Sequence, residues 1–331
     1  MNRKDFIKLV SCGTVAALAP LSYSCSPGKG GNNAQPKLTF GSWAFTFGPF
    51  SDNPWSLSRV MEYVADVGYD GISLNGFRPH VHFDDYNTRV KCQELMNEMK
   101  SLGIEAAAYA PNFGDVPPAE VDQEAYLEAI RKSLFVCEQL DIHILRVDTV
   151  SPPVEMAPDK YEQMFSRLVK TWASAAEEAK KSEVMITWEF EPGFWLNKPS
   201  EVKRVADTVE SDNFTILFDT CHAYMSGVVG ARHTGEREIL PGGMVEYAKM
   251  LSGSIGHVHL IDSDGTLHDD ETSTHTAFGE GKINFIEVME AIKPVISQLE
   301  WWGIDFCFNE DAEEKGRDAL PFVKDLANEV L

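Results

Sequence analysis

The chain has 331 residues, 44% hydrophobic and 24% charged, enough to bury one large core and unlike a disordered or membrane-spanning sequence. Its formal charge of −22 repels phosphate backbones and anionic lipid surfaces, which disfavours a nucleic-acid partner. The six cysteines show no CxxC pairing, which argues against a disulfide framework.

Residues 1–25 read as a signal peptide. Arg3, Lys4 and Lys8 form its basic start, residues 9–21 an apolar run too short to span a bilayer, and small residues precede Cys25. Residues 2–8, Asn-Arg-Lys-Asp-Phe-Ile-Lys, are similar to a twin-arginine (Tat) export motif with Lys4 in place of the second arginine. Residues 21–25, Leu-Ser-Tyr-Ser-Cys, resemble a loose lipobox with Ser22 where an aliphatic is usual. That would make Cys25 the lipidated first residue of an exported, periplasmic, membrane-anchored lipoprotein; cleavage without lipid is the alternative. Residues 26–36, rich in Gly, Asn and Pro, form a flexible linker.

From residue 37 to 331, strand-like and helix-like stretches alternate eight times. Strands are predicted at 37–45, 71–75, 104–110, 143–149, 184–190, 214–219, 256–261 and 302–308. Helices are predicted at 56–67, 86–102, 123–140, 160–181 and 200–209, at a segment ending near Leu251, at 285–299, and at the C-terminus. Ser56 is a helix cap, and Gly68 and Gly103 are stops. The count, and the absence of a GxGxxG turn after the first strand, point to an α/β fold of one domain, a (β/α)8 TIM barrel, with an open doubly wound sheet as the alternative. Function then lies at the C-terminal ends of the strands.

Residues 257–281 hold four histidines and six acids. His257 and His259 alternate on one strand face before a polar, Gly-containing loop. Strand five ends with Glu189 and Glu191 on one face, strand six with Asp219 followed by His222, and strand eight carries Asp305 in an apolar run. A buried acid needs a partner. Strands five to eight contain no Lys or Arg, which leaves a divalent metal as the economical one. Three carboxylates and an imidazole suit Mn²⁺ first, with Mg²⁺, Co²⁺ or Zn²⁺ as alternatives. Trp43, Phe45 and Phe47, with Trp195, are candidates to stack on the apolar face of a ligand ring. His80, His82, Arg146, Asp148 and His275 are candidates for hydroxyl contacts or acid/base work.

These motifs resemble the xylose isomerase-like TIM barrel family, the sugar phosphate isomerase/epimerase group that includes D-tagatose 3-epimerase. The resemblance rests on a Glu after strand five, the Asp219-Thr-Cys-His222 turn, the His257-Val-His259 strand, the acid on strand eight and the Gly279-Glu-Gly281 motif. It implies one divalent metal held by Glu189, Asp219, His259 and Asp305. Glu191 stands as the alternative on strand five, and Glu310 on strand eight. The family acid at that last position is usually Glu, so Asp305 departs from it. The resemblance further implies proton abstraction beside a carbonyl and an enediolate on an unphosphorylated sugar, with Glu189, Glu191, Asp305 and His222 as catalytic groups. Trp43, His80, Arg146, Trp195 and His275 would bind substrate. A lyase, dehydratase or hydratase acting on a keto-sugar or keto-glycoside is the alternative, and a non-catalytic sugar-binding lipoprotein a third reading. A homo-oligomer is left open.

Overall fold

The structure is a computed structural model that describes residues 35–269 and 271–331; the leader, Cys25 and most of the linker lie outside the described residues. Eight parallel strands close into a barrel. They are β1 (Lys37–Gly41), β2 (Gly71–Gly76), β3 (Glu105–Pro111), β4 (Ile144–Val147), β5 (Met185–Glu189), β6 (Phe214–Asp219), β7 (Ile255–Leu260) and, after an inserted hairpin, β10 (Trp301–Ile304). The hairpin pairs β8 (Asp262–His268) with β9 (Thr272–Thr276) in antiparallel fashion. Closure is direct: Phe40 on β1 registers with Ile304 on β10 and with Ile72 on β2.

The helices form where amphipathic stretches meet cap signals. In α1 (Leu57–Val67), Ser56 accepts from the Arg59 N–H, and Gly68 ends the helix at φ 94°; Leu57, Val60, Met61 and Val64 are buried. Helix α2 (Arg89–Leu102) starts later than expected because Thr88 caps it. The others are α3 (Gln123–Leu140), α4 (Pro158–Lys181), α5 (Pro199–Thr208), α6 (Thr220–Tyr224), α7 (Gly243–Leu251), α8 (Phe285–Ala291), α9 (Lys293–Ile296) and α10 (Ala312–Val330). The helix expected over 285–299 is split into α8 and α9, with Pro294 at the start of the second piece.

Two further differences bear on the site. The strand expected over 302–308 ends at Ile304, so Asp305 is the first residue past the barrel wall. The loop expected after β7 is the β8–β9 hairpin. The four cysteines among the described residues are free, and no helix there is long and apolar enough to cross a membrane.

Candidate active site

Strand register brings the acidic and imidazole side chains together at the C-terminal end of the barrel. Asp219 on β6 registers with His259 on β7, and His259 registers with Gly303 on β10. A Cβ at residue 303 would sit 2.6 Å from His259 Cδ2, so this position is left without a side chain where the imidazole lies. Glu189 closes β5. One ligand-type atom from each of Glu189, Asp219, His259 and Asp305 lies within 4.8 Å of the others, and all four residues are buried. Gly303→Ala is expected to push His259 out of place and to lower divalent-metal affinity about 10- to 100-fold, measured by titration with Mn²⁺.

The motifs around this quartet have physical reasons. Asp219 caps α6, its Oδ1 accepting from the His222 N–H at 2.7 Å. Its Oδ2 is buried with no hydrogen-bond partner among the described residues. Thr220 ties the turn to β7 through its hydroxyl, 2.7 Å from the Ile261 carbonyl and 3.0 Å from the Ile261 N–H. The Gly279-Glu-Gly281 motif is architectural. Asp262 accepts from the N–H groups of Gly279, Gly281 and Ile283, and a Cβ at Gly281 would lie 2.2 Å from Asp262 Oδ1. Glu280 turns outward to Lys315.

Three carboxylates this close repel one another by roughly 3–4 kcal/mol per pair at an effective dielectric of 20. The protein answers in part. Burial would raise Glu189, but His259, 2.7 Å from Oε1, and Arg146, 2.7 Å from Oε2, hold its carboxyl well below the usual range. Burial likewise opposes ionisation of Asp305, yet His275 at 3.1 Å and His259 at 3.6 Å bring it down to about 2. In return Asp305 outweighs burial at His275 and raises it to about 9. At Asp219 burial, with Glu189 and Asp305 beside it, outweighs the pull of His275 and His259 and pushes the carboxyl up to about 7. An unpaired buried oxygen in a ring of carboxylates is the arrangement a divalent cation satisfies, so the donor set fits a metal.

The expectation that no basic side chain serves these strands is corrected by Arg146, which reaches in from β4. It binds Glu189, contacts Asp148, and lies 3.6 Å from Glu191. Its guanidinium is thus held among three carboxylates while it also lines the cavity above the quartet. Glu191 stands outside the quartet, bonded to the Thr272 hydroxyl and pushed by burial to about 7. His222 shares a 2.8 Å hydrogen bond with Ser273, and burial lowers it to about 3, so its imidazole is neutral.

Above the quartet lies a cavity of about 440 Å³, lined by Trp43, Phe47, Arg146, Asp148, Glu189, Glu191, His222, His275 and Asp305, among others. Trp43 lies over His259, with ring centroids 5.4 Å apart. Some of the expected contacts lie elsewhere. Phe45 is core, stacked on Trp55 at 4.1 Å. His80 is buried and engaged by Ser42, Thr46 and the Trp55 carbonyl, away from the cavity lining. His82 accepts from the Asp84 N–H. Trp195 lines a neighbouring cavity, and Glu310 is exposed. Glu271 and Thr272 also line the cavity and Ser273 holds His222, but in the sequence they belong to a polar stretch that reads as loop. Its alternating Thr and His, with Ser273 and His275 inward, was the available signal.

Comparison with known proteins agrees with this architecture. A D-tagatose 3-epimerase-like protein superposes with a TM-score of 0.66 at 21% identity, over 89% of this chain and 100% of that one. The IOLI protein, solved with a binding zinc atom, gives 0.65 at 18% identity, over 89% and 99%. An uncharacterized protein of Methanocaldococcus jannaschii is 27% identical over 248 residues, 73% of this chain and 76% of that protein. The sequence model of the xylose isomerase-like TIM barrel family matches residues 61–325, and the chain belongs to that family.

Proposed function

We propose that the protein is a divalent-metal-dependent isomerase or epimerase of an unphosphorylated sugar, acting by proton transfer at the carbon beside a carbonyl. The observation that carries this reading is the convergence of Glu189, Asp219, His259 and Asp305 within 4.8 Å, with a buried Asp219 oxygen unpartnered. The epimerase-like and zinc-bearing neighbours of the same fold support the substrate class and the ion. Mn²⁺ suits the set best, with Mg²⁺, Co²⁺ or Zn²⁺ as alternatives. Bound there, the ion would supply Lewis acidity to a carbonyl oxygen and the adjacent hydroxyl.

The chain's own groups do the rest. Glu191, half-buried and fixed between Arg146 and Thr272, is placed to take the proton from carbon. His222 and His275 present imidazoles to the same cavity, where they can hold a proton at a substrate oxygen. Trp43 and Phe47 offer apolar faces to the ring and exclude water. Arg146 and Arg232 are the Lys or Arg side chains lining the cavity, and Arg146 is already held by carboxylates, which favours a substrate without phosphate.

Asp305 favours a second reading. It is one methylene shorter than a glutamate and paired with His275, so it reaches less far toward a second face of the substrate. A carbon–oxygen lyase needs one base and one acid, for which Glu191 and His275 suffice. Incubating the metal-replete protein with sugars and keto-sugars in D₂O, followed by NMR, tests both. An isomer or epimer deuterated beside the carbonyl supports the first reading, and loss of water or of a glycosidic substituent the second. No change in any sugar defeats both.

We also propose that the chain is exported to the periplasm and anchored through lipid at Cys25. Cys25→Ser is expected to move it from the membrane to the soluble fraction on cell fractionation. Unchanged membrane association in the variant contradicts the anchor.

A further inference from the structure

A second cavity of about 410 Å³, nearly as large as the first, lies beside it. Three loops form the wall between them, and each turns neighbouring residues to opposite sides. Pro152 lines the first cavity and Pro153 the second; Phe194 lines the first and Trp195 the second; Arg232 lines the first and Thr234 the second. These loops follow β4, β5 and β6, so both cavities belong to the catalytic end of the barrel.

The wall is a built feature. The Trp195 N–H donates to the Ser151 carbonyl at 3.0 Å, and the Thr149 hydroxyl donates to the Trp195 carbonyl at 3.1 Å. Asn197 donates to the carbonyls of Pro192 and Arg232. Each loop also holds a non-glycine residue in the left-handed region: Val150 at φ 64°, Leu196 at 63° and Arg232 at 53°. For a β-branched valine this is costly, and such strain collects at ligand sites, where the surrounding structure over-determines it.

The lining of the second cavity mixes apolar and polar groups. Met156, Tyr161 and Trp195 present apolar surface, and Glu155, Lys198 and Glu201 present charge and hydrogen-bonding atoms. Trp195 is 4% exposed, and its indole N–H has no acceptor among the described residues. Aromatic faces beside carboxylates and an ammonium match a neutral polyhydroxylated ring, whose C–H face stacks and whose hydroxyls bond.

We propose that the second cavity is a subsite for the non-reacting unit of a disaccharide or glycoside whose other ring occupies the quartet cavity. The proposal rests on the sugar reading above and narrows it to substrates of at least two units. It adds a role for Trp195 on the far side of the wall from the quartet.

The test measures binding by calorimetry to the metal-replete full chain, for cellobiose, maltose, lactose and xylobiose and for their component monosaccharides. At least one disaccharide is expected to bind about tenfold or more tighter than its monosaccharides. Thr234→Trp, which fills the second cavity from a half-buried loop position, is expected to erase that advantage and leave monosaccharide binding unchanged. Trp195→Phe, which keeps an aromatic ring and removes the N–H, is expected to reduce it in part. Monosaccharides binding as tightly as every disaccharide, or an advantage that survives Thr234→Trp, overturns the subsite and leaves the sugar reading standing. No binding of any carbohydrate of either length overturns both.

Discussion

Glu191→Gln is expected to keep its metal and to lose about 10²- to 10⁴-fold in turnover, the usual contribution of a positioned general base. Glu189→Gln is expected to lose metal and turnover together. The distinction follows from where the carboxylates sit. Glu189 ends β5, faces His259 at 2.7 Å and belongs to the quartet. Glu191 is two residues further on, outside the quartet, held by Thr272 and Arg146 at the cavity wall. Gln is close to Glu in size and removes only the charge and the basicity, so folding is little disturbed. Metal analysis alongside rates on a responsive sugar separates the two roles. If Glu191→Gln loses the metal and Glu189→Gln retains it, the roles are reversed.

The combination of Asp219→Asn and His259→Ala is expected to have the largest effect, removing metal binding and turnover to below detection. Asp219 supplies the oxygen that nothing else satisfies, and His259 is the imidazole of the quartet. Asp219→Asn relieves charge crowding, and after His259→Ala Glu189 keeps Arg146 and Asp305 keeps His275, so the double variant is expected to stay folded, with unfolding by heat or urea still cooperative. A double variant that binds metal as the wild type does would contradict the assignment of these ligands.

The barrel was legible because its signals are local. Periodicity marks the long helices, caps mark some of their ends, as at Ser56 and Gly68, and β-rich runs separate them. The quartet was legible because each member lies at or next to the C-terminal end of a strand, and parallel strands carry those ends to one place. What escaped depended on contacts distant in sequence. The carboxylates that hold Arg146 are not visible in the sequence because they come from different strand ends and the following loop. His80 was read as functional because nothing local reveals that Ser42, Thr46 and Trp55 enclose it. The β8–β9 hairpin was hidden by its polarity. It packs against the open end of the barrel rather than in the core, so its strands lack the apolar alternation by which strands are recognised.

The claim that metal at the quartet supports the chemistry is tested most directly by removing it. The purified chain is analysed for metal, stripped with chelator, checked for folding by circular dichroism, and assayed on a responsive sugar before and after Mn²⁺ is restored. One divalent ion per chain is expected, with a stripped protein that is folded and inactive and with activity regained when the ion is restored. A stripped chain that is folded, free of metal and as active as before would contradict the claim.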